Sequence, residues 1–227
     1  MHLRAILAGL AALTLLSANG PGDPPACAPT NCSQQSPVDI VGAIRADIAK
    51  PVVHYEAGHF EIENDGHTLK VTPLGGHNTV DFAGVVYSLA QFHFHHKAEH
   101  LVNGVQAAME VHFVNLGPLD TKLVLGVLLQ PGGTNSLFTE IMAAAPPPGH
   151  KVIVSLDPNH LLPIHHSLWT YKGSLTTPPF SEDVTWVVFQ NDELVAGHDI
   201  DKYALLFEHQ APHPPQNLHR RFILSVP

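Results

Sequence analysis

The sequence predicts a mainly β protein with short helices, folded as a single domain over residues 37–227. Many short runs rich in Val, Ile, Phe and Tyr, several of them alternating with polar residues, are typical of strands. The 20 prolines and 17 glycines among 227 residues indicate many turns rather than long helices. The chain has no internal repeat, and strand-like runs lie on both sides of the Pro-rich loop 146–149, so this loop is not a domain boundary.

The predicted strands are short and follow one another closely. They cover residues 52–55, 59–63, 68–72, 85–86, 92–95, 108–114, 123–129, 152–155 and 184–190. Helices are predicted at 137–145 and 200–208, where the apolar residues follow a helical period. The segments together predict one β domain with two helices.

Composition excludes several classes of function. Hydrophobic residues make up 44% of the chain and charged residues 14%, which argues against disorder. A formal charge of −9 argues against nucleic acid or an anionic membrane surface as partner. The chain also has 18 histidines, the side chain that binds transition metals and titrates near neutrality. A soluble, turn-rich, metal-handling protein fits this composition.

The N-terminus has the order of a secretory signal. A basic start is followed by the apolar run 5–16 and then by small or polar residues. This run is shorter than the roughly 20 residues that span a bilayer, so we expect no stable membrane anchor. We therefore predict a signal peptide over residues 1–20, a Pro-rich arm over 21–36, and a periplasmic or secreted protein. Cys27 and Cys32 could pair with each other or cross-link two chains into a homodimer, and the oligomeric state stays open.

The most informative segment is the run 91–95. In a strand, Gln91, His93 and His95 share one face while Phe92 and Phe94 share the other. Imidazoles at positions i and i+2 can then converge on one ion. The alternative is that these histidines are half-buried sheet residues bonded to the backbone.

A second segment repeats the pattern. Glu110, His112 and Val114 share one face of the run 110–114, and sixteen residues separate His95 from His112, enough for a turn and an antiparallel return. Three neutral imidazoles suit Zn²⁺ and leave a fourth position open, as in catalytic sites. Gln91 and Glu110 could accept the outward ring N–H groups and fix the ring orientation. The sequence therefore predicts a zinc site held by His93, His95 and His112.

The spacing His93, His95, Glu99 also has the look of the metal motif of cupin barrels, in which the glutamate is a ligand. The flanking glycines of that motif are missing, since Tyr87 and Gln106 stand in their places. A cupin-like metalloenzyme is therefore an alternative.

An ordered series of motifs resembles the α-class carbonic anhydrases over residues 35 to about 222. The series comprises Gln-Ser-Pro-Val-Asp-Ile at 35–40, Asn-Asp-Gly-His at 64–67, Gln-Phe-His-Phe-His at 91–95, Ala-Glu-His at 98–100, Met-Glu-Val-His at 109–112, Leu-Val-Leu-Gly at 123–126, Leu-Trp-Thr-Tyr-Lys-Gly-Ser-Leu-Thr-Thr-Pro-Pro at 168–179 and Val-Thr-Trp at 184–186. Any short piece could arise by chance, but the ordered set is very specific. The resemblance implies a central, mostly antiparallel, twisted β-sheet with Zn²⁺ on its face.

The activity that the resemblance implies is reversible hydration of CO₂ to bicarbonate and a proton by zinc-bound hydroxide. By matching position, Thr176 would accept a hydrogen bond from the hydroxide and donate one to Glu99. His67 would be the proton shuttle, a task suited to an imidazole. Spacing alone would make His67 an ordinary turn residue after Asp65-Gly66, but its match to the family's shuttle position favours the shuttle role.

The resemblance also implies a substrate pocket. Val114, Val124, Leu175 and Trp186 would form an apolar wall that holds CO₂, and Thr177 would face bicarbonate or water. Each apolar member could instead be plain core.

The chain departs from the family at its start, because the usual aromatic-containing N-terminal segment is replaced by the leader and the arm. A non-enzyme alternative follows: a carbonic-anhydrase-like zinc-binding protein with weak or lost catalysis. All three ligand positions are kept, which favours the enzyme.

Overall fold

The computed structural model describes residues 33–227, so the predicted leader and both cysteines lie outside the described residues. Within this part the chain forms sixteen strands, two α-helices and two 3₁₀ helices. The strands are β1 (Asp39–Ile40), β2 (Ile44–Arg45), β3 (Val52–His54), β4 (Gly58–Asn64), β5 (Leu69–Pro73), β6 (Thr79–Phe82), β7 (Val85–His96), β8 (Leu101–Val102), β9 (Val105–Gln106), β10 (Met109–Leu116), β11 (Lys122–Pro131), β12 (Lys151–Leu156), β13 (Leu168–Ser174), β14 (Glu182–Phe189), β15 (Glu193–Val195) and β16 (Leu224–Val226). The helices are α1 (Ser136–Ala144) and α2 (Gly197–Leu206), and the 3₁₀ helices are Pro118–Asp120 and Pro158–Leu161.

One large sheet organises the domain. Its main path runs β12-β4-β5-β7-β10-β11-β14-β13-β16-β2, and β3, β6 and β15 complete thirteen strands. Most neighbours are antiparallel, while β11 pairs in parallel with β14 and β15, and β16 with β2. The predicted fold class, mainly β around a mostly antiparallel sheet, is confirmed.

Side-chain alternation in β7 and β10 separates the two faces of the sheet. Phe92, Phe94 and Phe113 are fully or almost fully buried in the main core, where the aromatic rings contact one another. Helices α1 and α2 close this core from the same side, with Phe138 and Tyr203 packing on Phe94. The histidines of β7 and β10 therefore lie on the opposite face.

A second, smaller apolar cluster covers part of that opposite face. Its buried members are Val38, Ile40, Val124, Tyr171, Val184, Trp186, Val188 and Ile223. The cluster borders the histidines, because the rings of His112 and Trp186 lie 4.8 Å apart. The histidine group is thus walled by apolar side chains on this side.

The structure has strands that the sequence did not predict. Residues 85–86 and 92–95 belong to one strand of twelve residues. The strands without a predicted counterpart are β1, β2, β6, β8, β9, β13, β15 and β16. The last residues of the predicted arm, Gln35 and Ser36, are buried, and the backbone N–H of Ser36 donates to Ser174 Oγ at 2.9 Å. Among residues 33–227, no helix has the length and apolar character needed to cross a membrane.

Candidate metal centre

His93, His95 and His112 come together on the face of the large sheet opposite the main core. The antiparallel register of β7 and β10 sets His93 opposite His112, and His95 lies two residues further along the same face. The ring centroids are 4.5 to 5.5 Å apart. One nitrogen of each ring lies within 4.8 Å of the others, so the three side chains form a group that could hold a metal ion.

Each of the three rings has a polar group beside its outer nitrogen. His93 Nδ1 lies 2.8 Å from Gln91 Oε1, and His95 Nδ1 lies 3.4 Å from Glu99 Oε1. His112 Nε2 lies 2.9 Å from Glu110 Oε1, although the angle does not suit a hydrogen bond. Gln91 and Glu110 thus lie beside the outer nitrogens of His93 and His112.

The inward nitrogens of two rings are buried and unsatisfied. Among the described residues, neither His95 Nε2 nor His112 Nδ1 has a hydrogen-bond partner. Buried polar atoms in native proteins almost always have a partner, so such a pair on one spot indicates a ligand. Since a neutral imidazole nitrogen offers a lone pair, the chemistry of the donor set suits a transition-metal cation.

The surroundings keep two of these imidazoles, His93 and His95, neutral. Burial, reinforced by His112 and Lys70, lowers the pKa of His93 to about 3. Burial and the two adjacent imidazoles hold the pKa of His95 well below its ordinary value. Neutral rings are the form that ligates a metal.

Glu110 ties the site to a buried polar chain that the sequence did not predict. Its Oε2 accepts the backbone N–H groups of Glu99 and His100 at 2.9 Å, and its Oε1 lies 2.7 Å from His100 Nδ1. On the far side, His100 Nε2 lies 2.7 Å from the Tyr171 hydroxyl. Burial alone would raise the pKa of Glu110, but the His100 and His112 rings outweigh it and hold the pKa well below normal. Glu110 is therefore a carboxylate.

The sequence contained one signal for His100, its place in the motif 98–100, but no spacing rule assigns it a partner. Tyr171 and Ser36, which lie 3.0 Å apart at their oxygens, are separated by 135 residues. Only the fold brings them together.

Glu99 lies beside the histidine group, with Oε1 3.4 Å from His95 Nδ1 and Oε2 3.9 Å from His112 Nδ1, and the Thr176 hydroxyl lies close to Glu99. Burial raises the pKa of Glu99 to about 8, the Thr176 hydroxyl and the backbone N–H of His213 lower it in part, and Glu110 raises it further. The His213 N–H donates to Glu99 Oε1 at 2.9 Å. The contact with Thr176 is looser, since Glu99 Oε2 has no partner of hydrogen-bond geometry among the described residues.

The four predicted apolar pocket residues all fall in the second apolar cluster. Val124 and Trp186 are buried, and Val114 and Leu175 are partly buried against them. Trp186 is held by its indole N–H, which donates to Ser174 O at 2.9 Å. Thr177 is exposed on the loop after Leu175.

His67 is exposed in the turn between β4 and β5. Its backbone N–H donates to Asp65 Oδ1 at 2.8 Å. Strand β5 continues from this turn and sets Lys70 opposite His93. The turn therefore lies at the end of a strand that borders the histidine group, while no contact joins His67 to that group.

The fold and this constellation define a class: a mainly β protein with three imidazoles that could hold a metal ion on the face of a twisted sheet, next to an apolar wall. The profile of the eukaryotic-type carbonic anhydrase family matches residues 22–223. This chain belongs to that family, the α-class carbonic anhydrases, and the predicted enzyme class is confirmed. The cupin-like alternative is wrong, because both family and fold are those of carbonic anhydrases.

Individual relatives agree with this assignment. A carbonic anhydrase of Neisseria gonorrhoeae is 33% identical over 193 residues, which cover 84% of this chain and 77% of that protein. The α-carbonic anhydrase of Thermovibrio ammonificans, solved with the inhibitor sulfanilamide, is 36% identical with a TM-score of 0.81, and the match covers 85% of this chain and 87% of that one. A hyperthermostable carbonic anhydrase from a hydrothermal vent chimney is 32% identical with a TM-score of 0.83, over 86% of this chain and 88% of that one.

Proposed function

We propose that this chain catalyses the reversible hydration of CO₂ to bicarbonate and a proton, with a zinc ion held by His93, His95 and His112. The observation that carries the proposal is the convergence of three imidazoles, two of which have inward nitrogens that are buried and unpartnered. Leaving such atoms unsatisfied costs free energy, and a cation at that point removes the cost.

Zinc fits the donor set. Three imidazole nitrogens are ligands that Zn²⁺ favours, and three protein ligands leave one coordination position for a reactant. When bound, Zn²⁺ supplies the Lewis acidity that makes water a good nucleophile near neutral pH, as is established for carbonic anhydrases in general. Everything else that the reaction needs comes from the side chains of the protein.

Gln91 and Glu110 act by holding the ligands. Gln91 Oε1 accepts from His93 Nδ1, and Glu110 stands at the outward nitrogen of His112. Such partners select the ring tautomer and orientation, and so present the inward lone pairs to the cation.

Glu99 and Thr176 orient the nucleophile. The Thr176 hydroxyl would donate its proton to Glu99, and its oxygen would then accept the hydrogen of the attacking oxygen. This pair of bonds directs a lone pair towards CO₂ and reduces the orientational freedom lost on reaching the transition state.

Val114, Val124, Leu175 and Trp186 provide the binding place for CO₂. The molecule has no dipole and weak hydrogen-bonding capacity, so an apolar wall beside the ligands suits it. Thr177 lies exposed on the adjoining loop and would face bicarbonate or water.

His67 would carry the proton to solvent. Its turn is anchored through the backbone at Asp65 while the residue itself is exposed, so the imidazole can reorient in water. Relay through solvent by an exposed imidazole needs no direct contact with the metal ligands.

The test measures zinc content and CO₂-hydration rate on the same purified protein. We expect one zinc per chain and a rate far above that of buffer. The His112→Ala variant should lose zinc and activity together, because only two imidazoles remain. His209→Ala is the matched control, since that side chain is almost fully exposed and should change neither quantity.

Two results would contradict the proposal. Full zinc occupancy in His112→Ala would exclude His112 as a ligand. One zinc per chain in the wild type, with no rate above buffer, would leave the zinc-binding protein without catalysis as the function.

We also propose that the chain is exported to the periplasm or secreted. The leader over residues 1–20 supports this, although it lies outside the described residues. The pairing of Cys27 and Cys32, and the homodimer that a disulfide between two chains would form, remain predictions because both cysteines lie outside the described residues.

A further inference from the structure

Two loops meet above Glu99. The first, which we name the threonine loop, covers residues 175–181 and contains Thr176; the Leu175 N–H closes it by donating to Ser181 O at 3.0 Å. The second, the terminal loop, covers residues 211–216, and its His213 N–H donates to Glu99 Oε1. Each loop thus brings one group to the same carboxyl.

A ring stack joins the two loops. The Phe180 and His213 rings have centroids 5.0 Å apart and planes inclined by 28°. Both residues are only partly buried, and neither belongs to the two larger apolar clusters. The stack is therefore a local contact between loops rather than an edge of the core.

The backbone of Phe180 disfavours its own side chain. Its φ of +56° lies in the left-handed region, which costs free energy for any residue with a Cβ and suits glycine or asparagine. Phe180 takes part in the turn through its backbone alone, since its N–H donates to Thr177 O and its carbonyl oxygen accepts from Gln35 Nε2. The aromatic ring, and not the turn, accounts for a phenylalanine at this position.

The terminal loop is fixed independently at its far end. The Gln216 N–H donates to Pro37 O at 2.7 Å, and Val38 and Gln216 form an isolated parallel bridge. His213 is thus held on the domain, and its ring offers the threonine loop a fixed surface. Holding Phe180 on that surface restricts Thr176, four residues earlier in the same short loop.

The geometry points to Phe180 and His213 as positioning residues, whose stack aligns the threonine loop so that the Thr176 hydroxyl reaches Glu99. This inference rests on the proposed function, in which that hydroxyl orients the nucleophile. Neither ring touches the reacting atoms; both act through Thr176 and Glu99. The expected consequence is a loss of CO₂ conversion without loss of the metal.

The test is a double-mutant cycle with Phe180→Ala, His213→Ala and the double variant, each loaded with zinc. An aromatic pair of this kind predicts a fall of about two- to tenfold in kcat/KM for each single variant, and little further fall in the double variant. Zinc content should stay at the wild-type level, because no ligand is changed. His213→Phe keeps a ring and the backbone N–H, and should restore most of the kcat/KM that His213→Ala loses.

Two controls separate positioning from general stability. Leu119 also has a positive φ but is 98% exposed on the turn between β10 and β11, so Leu119→Gly removes similar backbone strain and should leave kcat/KM unchanged. Phe180→Gly also removes strain, yet should lose activity like Phe180→Ala. The His166–Phe189 ring pair provides the second control, because His166→Ala breaks a histidine–phenylalanine contact away from these loops.

A readout without activity completes the test. Hydrogen–deuterium exchange of the metal-free protein should be faster in Phe180→Ala for peptides covering 175–181 and 211–216, and unchanged for β7 and β10. Slow proton release would give a different pattern: a defect confined to weak buffer and relieved by imidazole. We expect the stack variants to keep their defect in strong buffer.

The outcomes distinguish this inference from the proposed function. The role of the stack would be overturned if the wild type is active and the losses of kcat/KM in the two single variants add up in the double variant. It would also be overturned if the single variants keep the wild-type kcat/KM. Either result leaves the proposed function intact. A zinc-loaded wild type without CO₂ hydration would overturn the proposed function, and the exchange measurement would then decide whether the stack holds the two loops. Unchanged hydrogen–deuterium exchange in both peptides would overturn the positioning role of the stack, whether or not the wild type hydrates CO₂.

Discussion

Replacing Glu110 by glutamine is expected to weaken zinc binding about ten- to a hundredfold while the protein still folds. The substitution conserves volume and removes one charge from a fully buried position. Four nitrogens lie close to the Glu110 carboxylate: two backbone N–H groups at Oε2, and the rings of His100 and His112 at Oε1. A carboxylate can accept from all of them, whereas an amide has one acceptor oxygen and an NH₂ donor.

The amide cannot be oriented without loss. With its NH₂ towards the backbone, two N–H donors lose their acceptor, at about 1–3 kcal/mol each. With its NH₂ towards the rings, His112 must take the other tautomer, which protonates the inward Nδ1 and removes its lone pair. We therefore expect a loss of about 2–6 kcal/mol from a free energy of unfolding that is about 5–15 kcal/mol in typical folded domains.

Zinc affinity is measured by competition with a chromophoric chelator, and stability by urea unfolding of the metal-free protein. Glu63→Gln is the matched control, because that carboxylate is partly exposed and paired with Lys70, so it should change stability by less than about 1 kcal/mol and leave zinc affinity unaltered. Wild-type zinc affinity in Glu110→Gln, with a stability loss no larger than that of the control, would refute the reasoning.

Three further predictions follow from the structure. The metal-free protein should be most stable near pH 6.5. Because folding lowers the pKa of His93 to about 3, the free energy of unfolding falls as the pH drops below 6.5. Because folding raises the pKa of Glu99 to about 8, the free energy of unfolding falls as the pH rises from 4.5 to 8. His95 acts in the same sense as His93, so the two histidines outweigh Glu99 below pH 6.5. Gly173→Ala should lower the unfolding free energy by about 2 kcal/mol or more, because the new methyl group would overlap the Ser36 hydroxyl. His67→Ala should keep zinc and slow turnover mainly in weak buffer, with recovery on adding imidazole.

Each of these predictions has its own check. Urea unfolding from pH 4 to 9 gives the stability profile, and a steady rise through pH 8 would contradict it. Thermal unfolding compares Gly173→Ala with Gly58→Ala, whose added Cβ meets nothing within 4 Å; equal losses in the two variants would refute the packing argument. Stopped-flow rates in weak buffer decide on His67, and unchanged rates there would exclude it as the main shuttle.

The sequence predicted that the three histidines converge, because the signal for this arrangement is local. Imidazoles at 93 and 95 must share a face in any strand, and the return to 112 needs only an antiparallel neighbour. The structure has that neighbour with His93 opposite His112.

The outer part of the site was not predictable in the same way. His100 lies 71 residues from Tyr171, and Tyr171 lies 135 residues from Ser36, so no spacing rule joins them. Strand β13 was missed because both of its faces are buried and a glycine interrupts its pattern. That glycine, Gly173, is needed for a reason the sequence hides, since Ser36 and Trp186 occupy the space of a Cβ.

Zinc K-edge X-ray absorption on the purified protein tests the central claim most directly. Coordination by His93, His95 and His112 predicts three imidazole nitrogens at about 2.0–2.1 Å and one further oxygen ligand from solvent. The His112→Ala variant, if it retains any zinc, should show two imidazoles. Fewer than three imidazoles in the wild type, or a shell with sulfur ligands, would contradict the account.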